Sequence, residues 1–158
     1  MIATAVAAFL GDRLGEELVA AFIYGSVAAG RAGPDSDIDC FVLTAGDLTE
    51  DLRAQLGAEF AELQRELGYR PDPDYPLEVF SVAQCESVLA GDTFARIVAD
   101  ADHGRLDPQA ATSDEAEILR ALLDQRLVVK HAPALDQLTD QARALQQKGT
   151  RCSGRWRA

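Results

Sequence analysis

Ile2, Val6, Phe9, Leu10, Leu14 and Leu18 recur at the spacing of one helical face and predict an amphipathic helix over residues 2–17. The pattern then changes period. "VAAFIY", residues 19–24, is an almost unbroken apolar run ending at Gly25-Ser26, which predicts a buried strand followed by a turn. "DIDCFVLT", residues 37–44, predicts a second strand whose apolar residues occupy both faces beyond the acids. Asp47 with Glu50 three residues later reads as the capped start of a helix. Leu48, Leu52, Leu56, Phe60, Leu63 and Leu67 form its apolar face, and Gly68 marks its stop.

"YRPDPDYP", residues 69–76, is a proline-rich loop, and "LEVFSV", residues 77–82, a third strand. Ser81 with Gln84 starts a short helix that ends near Gly91, and Phe94, Ile97, Val98 and Ala101 suggest another. Ser113 is placed to cap a further helix, with Asp114 and Glu115 near the positive end of its dipole. That helix is expected to run to about Lys130, where Pro133 separates it from a last one carrying Leu135, Leu138, Ala142 and Leu145. Strands and helices in this order predict an α/β fold.

Composition narrows the picture. With 158 residues and 47% hydrophobic content, the chain supports one core. A net charge of -11 gives a field that repels nucleic acid and anionic membrane, so no stable nucleic-acid binding is expected. Any nucleotide needs a local site with cations. "MIATAVAAFLGDRLG" lacks the basic start of a signal peptide, and no apolar run reaches membrane-spanning length. Cys40, Cys85 and Cys152 show no metal-ligand or disulfide spacing. A cytoplasmic protein is the expectation.

The candidate chemistry lies in "IYGSVAAGRAGPDSDIDCFVL", residues 23–43. Strand alternation would send Asp37 and Asp39 to one face, about 6 to 7 Å apart. At an effective dielectric near 20, two such charges repel by roughly 2 to 3 kcal/mol. A divalent cation between them removes that cost, and magnesium favours one or two carboxylates together with phosphate oxygens and water. Gly25-Ser26, where the first strand ends, offers close backbone approach and a hydroxyl to a phosphate. Glu78 is a carboxylate inside an apolar strand, and burying it unpaired would be expensive. If its strand neighbours the second, Glu78 can share the face of the two aspartates.

Gly25-Ser26, ten intervening residues and Asp37-Ile38-Asp39, with "GPDSDID" and the Ala/Gly-rich "VAAGRAG", resemble the nucleotidyltransferase superfamily of the DNA polymerase β type. The likeness is strongest to its small bacterial members, the minimal nucleotidyltransferases, and covers about residues 18–100. It implies a core of a small mixed sheet flanked by helices, placed at 1–112. The residues themselves predict a helical segment at 113–147 packed on that core and, with Lys148, Arg151, Arg155 and Arg157 and no acid, a basic flexible tail at 148–158. The resemblance also implies that Asp37 and Asp39 bind two magnesium ions and that Gly25 and Ser26 hold the triphosphate of ATP or another NTP. Glu78 stands where the family has a third carboxylate, usually Asp, as metal ligand or acceptor of a proton. Where many small members have arginine after Gly-Ser, this chain has Val27, which leaves Arg31 to neutralise phosphate.

The implied reaction moves a nucleoside monophosphate, AMP from ATP first, to a hydroxyl. The minimal family resembles antitoxins that modify a partner toxin of helical HEPN fold. Relatives acting on aminoglycoside-like antibiotics share the same core and usually add a larger helical domain. A non-catalytic antitoxin or binding module is the third reading, and intact Asp37, Asp39 and Glu78 argue against it. His103, His131, Asp72 and Asp74 read as loop, helix-end or solvated residues, and Cys40 as core.

Overall fold

The computed structural model describes residues 1–74, 76–90 and 114–156. The chain begins with helix α1 (Ile2–Leu14) and a 3-10 turn (Gly15–Glu17), followed by strand β1 (Leu18–Tyr24), the short helix α2 (Gly25–Ala28) and strand β2 (Asp39–Thr44). Helix α3 (Glu50–Glu66), strand β3 (Glu78–Ser81) and helix α4 (Val82–Ala90) come next. Helix α5 (Asp114–Leu123), strand β4 (Leu127–Lys130) and helix α6 (Pro133–Trp156) complete the described residues. The four strands form one mixed sheet in the order β3-β2-β1-β4. β1 runs antiparallel to β2 and β4, whereas β3 is parallel to β2. A parallel pair needs a crossover, and α3 lies within that connection.

The sequence divides into two compact units, Met1–Val82 with Asp124–Leu135 and Ala83–Leu123 with Asp136–Ala158. In the first, Val6, Phe9, Leu10 and Leu14 of α1 and Leu56 and Phe60 of α3 pack on Ala21, Ile23, Cys40, Val42 and Val79. This is the aliphatic face of the sheet, with Phe9 and Phe60 centred 5.7 Å apart in the helix layer. The opposite face is aromatic. Phe22 stacks on Phe41 at 5.0 Å, Phe41 meets Phe80 at 5.5 Å, and the Arg126 guanidinium lies 4.4 Å from the Phe22 ring. In the second unit Cys85 and Leu89 of α4, five residues of α5, and Leu138, Thr139 and Ala142 of α6 are buried.

Several boundaries move. β2 begins at Asp39, so Asp37 and Ile38 precede the strand and alternation does not govern Asp37. The N-cap of α3 is Thr49, whose hydroxyl accepts from the Leu52 N–H at 3.2 Å; Asp47 lies outside the helix. Leu52, expected on the buried face, is 37% exposed. Gly68 has φ +88, the left-handed conformation of a residue just past a helix end. The helix expected to reach Lys130 stops at Leu123, and "LVVK" is an edge strand on β1. His131 therefore follows a strand, not a helix. Pro133 opens α6, where its fixed φ and missing N–H cost nothing. The expectations for Phe94 to Ala101, His103 and Ser113 fall outside the described residues.

Candidate functional site

β1 leaves the core at Tyr24, and Gly25 turns the chain with φ +72, a conformation few residues other than glycine adopt. A second constraint acts at the same atom. A Cβ on residue 25 would collide with Asp39 Oδ2, so the carboxylate of the first residue of β2 lies directly against the bare α-carbon. Tyr24 is the register partner of Asp39, which brings the end of β1 and the start of β2 together. The Gly25 N–H donates to Asp124 Oδ2 at 3.2 Å, although the two are 99 residues apart in sequence.

The loop between α2 and β2 is held by its own backbone. The Arg31 N–H donates to the Ser26 carbonyl at 2.8 Å, and Ser36 exchanges hydrogen bonds with Gly33. The Arg70 N–H donates to the Ser36 carbonyl at 3.0 Å. Arg31 itself is exposed, while Gly25, Ser26, Asp37 and Asp39 are half-buried. At Ile38, between the two aspartates, the side chain enters the core and the N–H donates to Gln64 Oε1 at 2.8 Å.

β3 carries Glu78, the third acid of the sequence reading. Glu78 is the register partner of Phe41, so it projects from the sheet face that carries Phe41 and Asp39. It is half-buried, and its neighbour Val79 points into the aliphatic core. Arg53 of α3 donates to the Val79 carbonyl at 2.7 Å and so covers a backbone oxygen of the edge strand. Asp72 and Asp74 are exposed, and Asp72 Oδ1 accepts from the Asp74 N–H at 2.9 Å.

Cys40 is buried on the aliphatic side. Burial pushes its thiol far above the ordinary range, and the charge of Asp39 pushes it further. It is a core residue without nucleophilic character. Among the described residues no group of three His, Cys, Asp or Glu side chains is gathered closely enough to hold a metal ion alone. Asp37 and Asp39, half-buried and separated by one residue, are nevertheless of the type magnesium uses, one or two carboxylates with the rest of its shell from phosphate and water.

A family model described as polymerase beta, nucleotidyltransferase, matches residues 12–93, more than half of the chain. The chain belongs to the polymerase beta nucleotidyltransferase family. The matched span contains Gly25-Ser26, Asp37, Asp39 and Glu78. Among solved structures, one described as a toxin-antitoxin with AMP-PNP superposes with a TM-score of 0.51 at 14% identity, over 94% of this chain and 89% of that chain. A chain of the tri-AMPylated Shewanella oneidensis HEPN toxin in complex with MNT antitoxin gives 0.44 at 15% identity, over 99% and 96%. No curated protein matches the chain. The nucleotidyltransferase-type fold, a mixed four-stranded sheet flanked by helices, is thereby shown. None of the helices among the described residues is long and apolar enough to cross a membrane.

Two residues that touch this site were not anticipated. Gln64 carried a signal, because it extends the series Leu56, Phe60 with a polar side chain at a buried position. Asp124 carried none, because only the path of the chain after α5 brings it to Gly25.

Proposed function

We propose that this chain transfers a nucleoside monophosphate, AMP from ATP first, to a hydroxyl of a protein partner, as the antitoxin of a toxin-antitoxin pair. The observation that carries the reading is the seating of the Asp39 carboxylate against Gly25 within a span that matches a nucleotidyltransferase family. The shared fold with a toxin-antitoxin structure described with AMP-PNP supports an adenine nucleotide as donor and a toxin as partner. By the family resemblance that partner has the helical HEPN fold.

In this reading Asp37 and Asp39 hold magnesium, two ions when the nucleotide is present, and Glu78, on the sheet face that carries Asp39, is the third carboxylate. When bound, the metal supplies Lewis acidity at the acceptor hydroxyl and charge neutralisation at the leaving pyrophosphate. Gly25 and Ser26 contact the triphosphate, with the Ser26 hydroxyl donating to a phosphate oxygen. Arg31 is long and exposed enough to add a cation where Val27 offers none. Glu78 accepts the proton from the attacking hydroxyl or lends an oxygen to the metal, and the two aspartates orient in-line displacement.

Calorimetry with a non-hydrolysable ATP analogue is expected to show binding that needs magnesium. Equal affinity with and without the metal would remove the metal-bridged triphosphate. Incubation with labelled ATP and a HEPN-type partner should label the partner, and label on an aminoglycoside instead would reassign the acceptor. Glu78→Gln should lower turnover by about two to four orders of magnitude with a much smaller change in analogue affinity. Normal turnover in that variant would remove Glu78 from the site.

A further inference from the structure

We infer that Gln64 is a positioning residue that sets the spacing between the Asp37–Asp39 segment and the strand carrying Glu78. The inference rests on the metal-dependent transfer proposed above. Gln64 lies on α3 and is 0% exposed. Its Oε1 accepts from the Ile38 N–H at 2.8 Å, and its Nε2 donates to the Pro76 carbonyl at 3.2 Å. Ile38 is flanked by Asp37 and Asp39, and Pro76 stands two residues before Glu78. One side-chain amide thus joins the two backbone segments from which the three carboxylates project.

The chemistry of the position is restrictive. A buried N–H at residue 38 needs an acceptor, and a carbonyl at residue 76 needs a donor. A neutral amide at the end of two methylenes meets both. Glutamate would accept from Ile38 but set a carboxylate against the Pro76 carbonyl, and methionine would fill the volume with neither bond. Both tethered segments are also held by packing of their own side chains. The Ile38 side chain is in the aliphatic core, and Pro76 rests on Gly57 of α3, where an added Cβ would come within 3.2 Å of Pro76 Cγ. Helix α3 therefore serves as the common ruler for the acid-bearing loop and strand.

Gln64→Met tests this in the full chain. Amide exchange by NMR should show the Ile38 N–H of the variant exchanging about 10- to 100-fold faster than in the wild type, because its buried partner is gone. The Val42 amide, inside the sheet, should change much less. Mn2+ titration without nucleotide should show affinity lowered about tenfold, the usual cost of losing an outer partner of a metal site. Unchanged Mn2+ affinity in a folded Gln64→Met, or equal acceleration at Ile38 and Val42, would overturn the inference and leave Gln64 as a core residue only. If Gln64→Met does not fold, Gln64→Glu takes its place. It should retain slow exchange at Ile38 and still lose Mn2+ affinity, and unchanged affinity would overturn the inference there too. Failure of the wild type to bind Mn2+ would instead overturn the metal-dependent reading, and this inference with it.

Discussion

The two faces of the sheet are made from the same strands but have been given different work. On the face packed by α1 and α3, β1 and β2 present Ala21, Ile23, Cys40 and Val42, and every partner named there is apolar. On the other, Phe22, Phe41 and Phe80 share the surface with Asp39 and Glu78. Alternation along a strand lets one element serve both purposes, since each residue reverses direction relative to the last. The aliphatic face supplies stability that does not depend on charge. The aromatic face gives the two carboxylates a half-buried setting, where in the proposed reading a cation would offset charge.

The sharpest way to break this contrast is to neutralise the acids. Asp37→Asn with Asp39→Asn should abolish transfer, at least about a thousandfold in turnover, because the residues proposed to hold the metal are gone. The same double variant should be as stable as the parent in metal-free buffer, or more stable by up to about 2 kcal/mol. Parallel assays of turnover and chemical denaturation check both halves. Severe unfolding of the variant would mean that the two acids belong to the scaffold.

The complementary variant attacks the aliphatic face. Phe60 is fully buried between α3 and the sheet and meets Phe9 across the helix layer. Phe60→Ala should cost about 3 to 5 kcal/mol in urea denaturation, through lost burial and the cavity left behind. Turnover per folded molecule is expected to fall far less than in the aspartate variants. A loss of turnover without a loss of stability would dissolve the division between the faces.

How much of this was legible beforehand follows from where each signal resides. Helices α1 and α3 and strands β1 and β2 declare themselves through local periodicity, and the Gly-Ser to Asp-Ile-Asp spacing lies within a dozen residues. β4 did not, because "LVVK" extends the apolar spacing of α5 with no glycine or proline between them. What makes it a strand is the open edge of β1, a tertiary partner that propensity does not contain. Asp37 left the strand for a similar reason. The partner of Asp39 is Tyr24, the last residue of β1, so regular pairing begins only there, and the Ile38 N–H goes instead to Gln64 from 26 residues away. The start of α3 turned on two residues of equal local merit, and the hydroxyl of Thr49 reached the helix amides where Asp47 did not.

A third prediction uses the cysteines to sharpen the comparison across one strand. Burial raises the thiols of Cys40 and Cys85, the latter to about 12, and Asp39 adds to the shift at Cys40 from the other face. An unfolded chain ionises its thiols near 9, whereas the folded chain resists until far higher pH. The contribution of each buried thiol is therefore complete below about 9 and declines as pH rises toward about 12. Thermal melts should show stability falling across that window, and Cys40→Ala with Cys85→Ala should flatten the decline. An unchanged slope would mean that the thiols are accessible to base in the folded state.

The smallest expected effect concerns Asp124, which places an exposed carboxylate on the Gly25 N–H. That amide stands beside the serine proposed to receive phosphate, and the proposed ligand is a polyanion. A fixed negative charge there repels the triphosphate, while the hydrogen bond steadies the turn at φ +72. At an exposed position, salt and solvent reduce both terms to a fraction of a kcal/mol. Asp124→Ala should then tighten binding of a non-hydrolysable ATP analogue about threefold at low ionic strength. The gain should shrink as salt is raised, because repulsion between exposed charges is screened. Calorimetry at two salt concentrations reads the difference directly. Weaker binding in the variant would show that support of the Gly25 turn outweighs repulsion, and an effect independent of salt would remove the electrostatic argument.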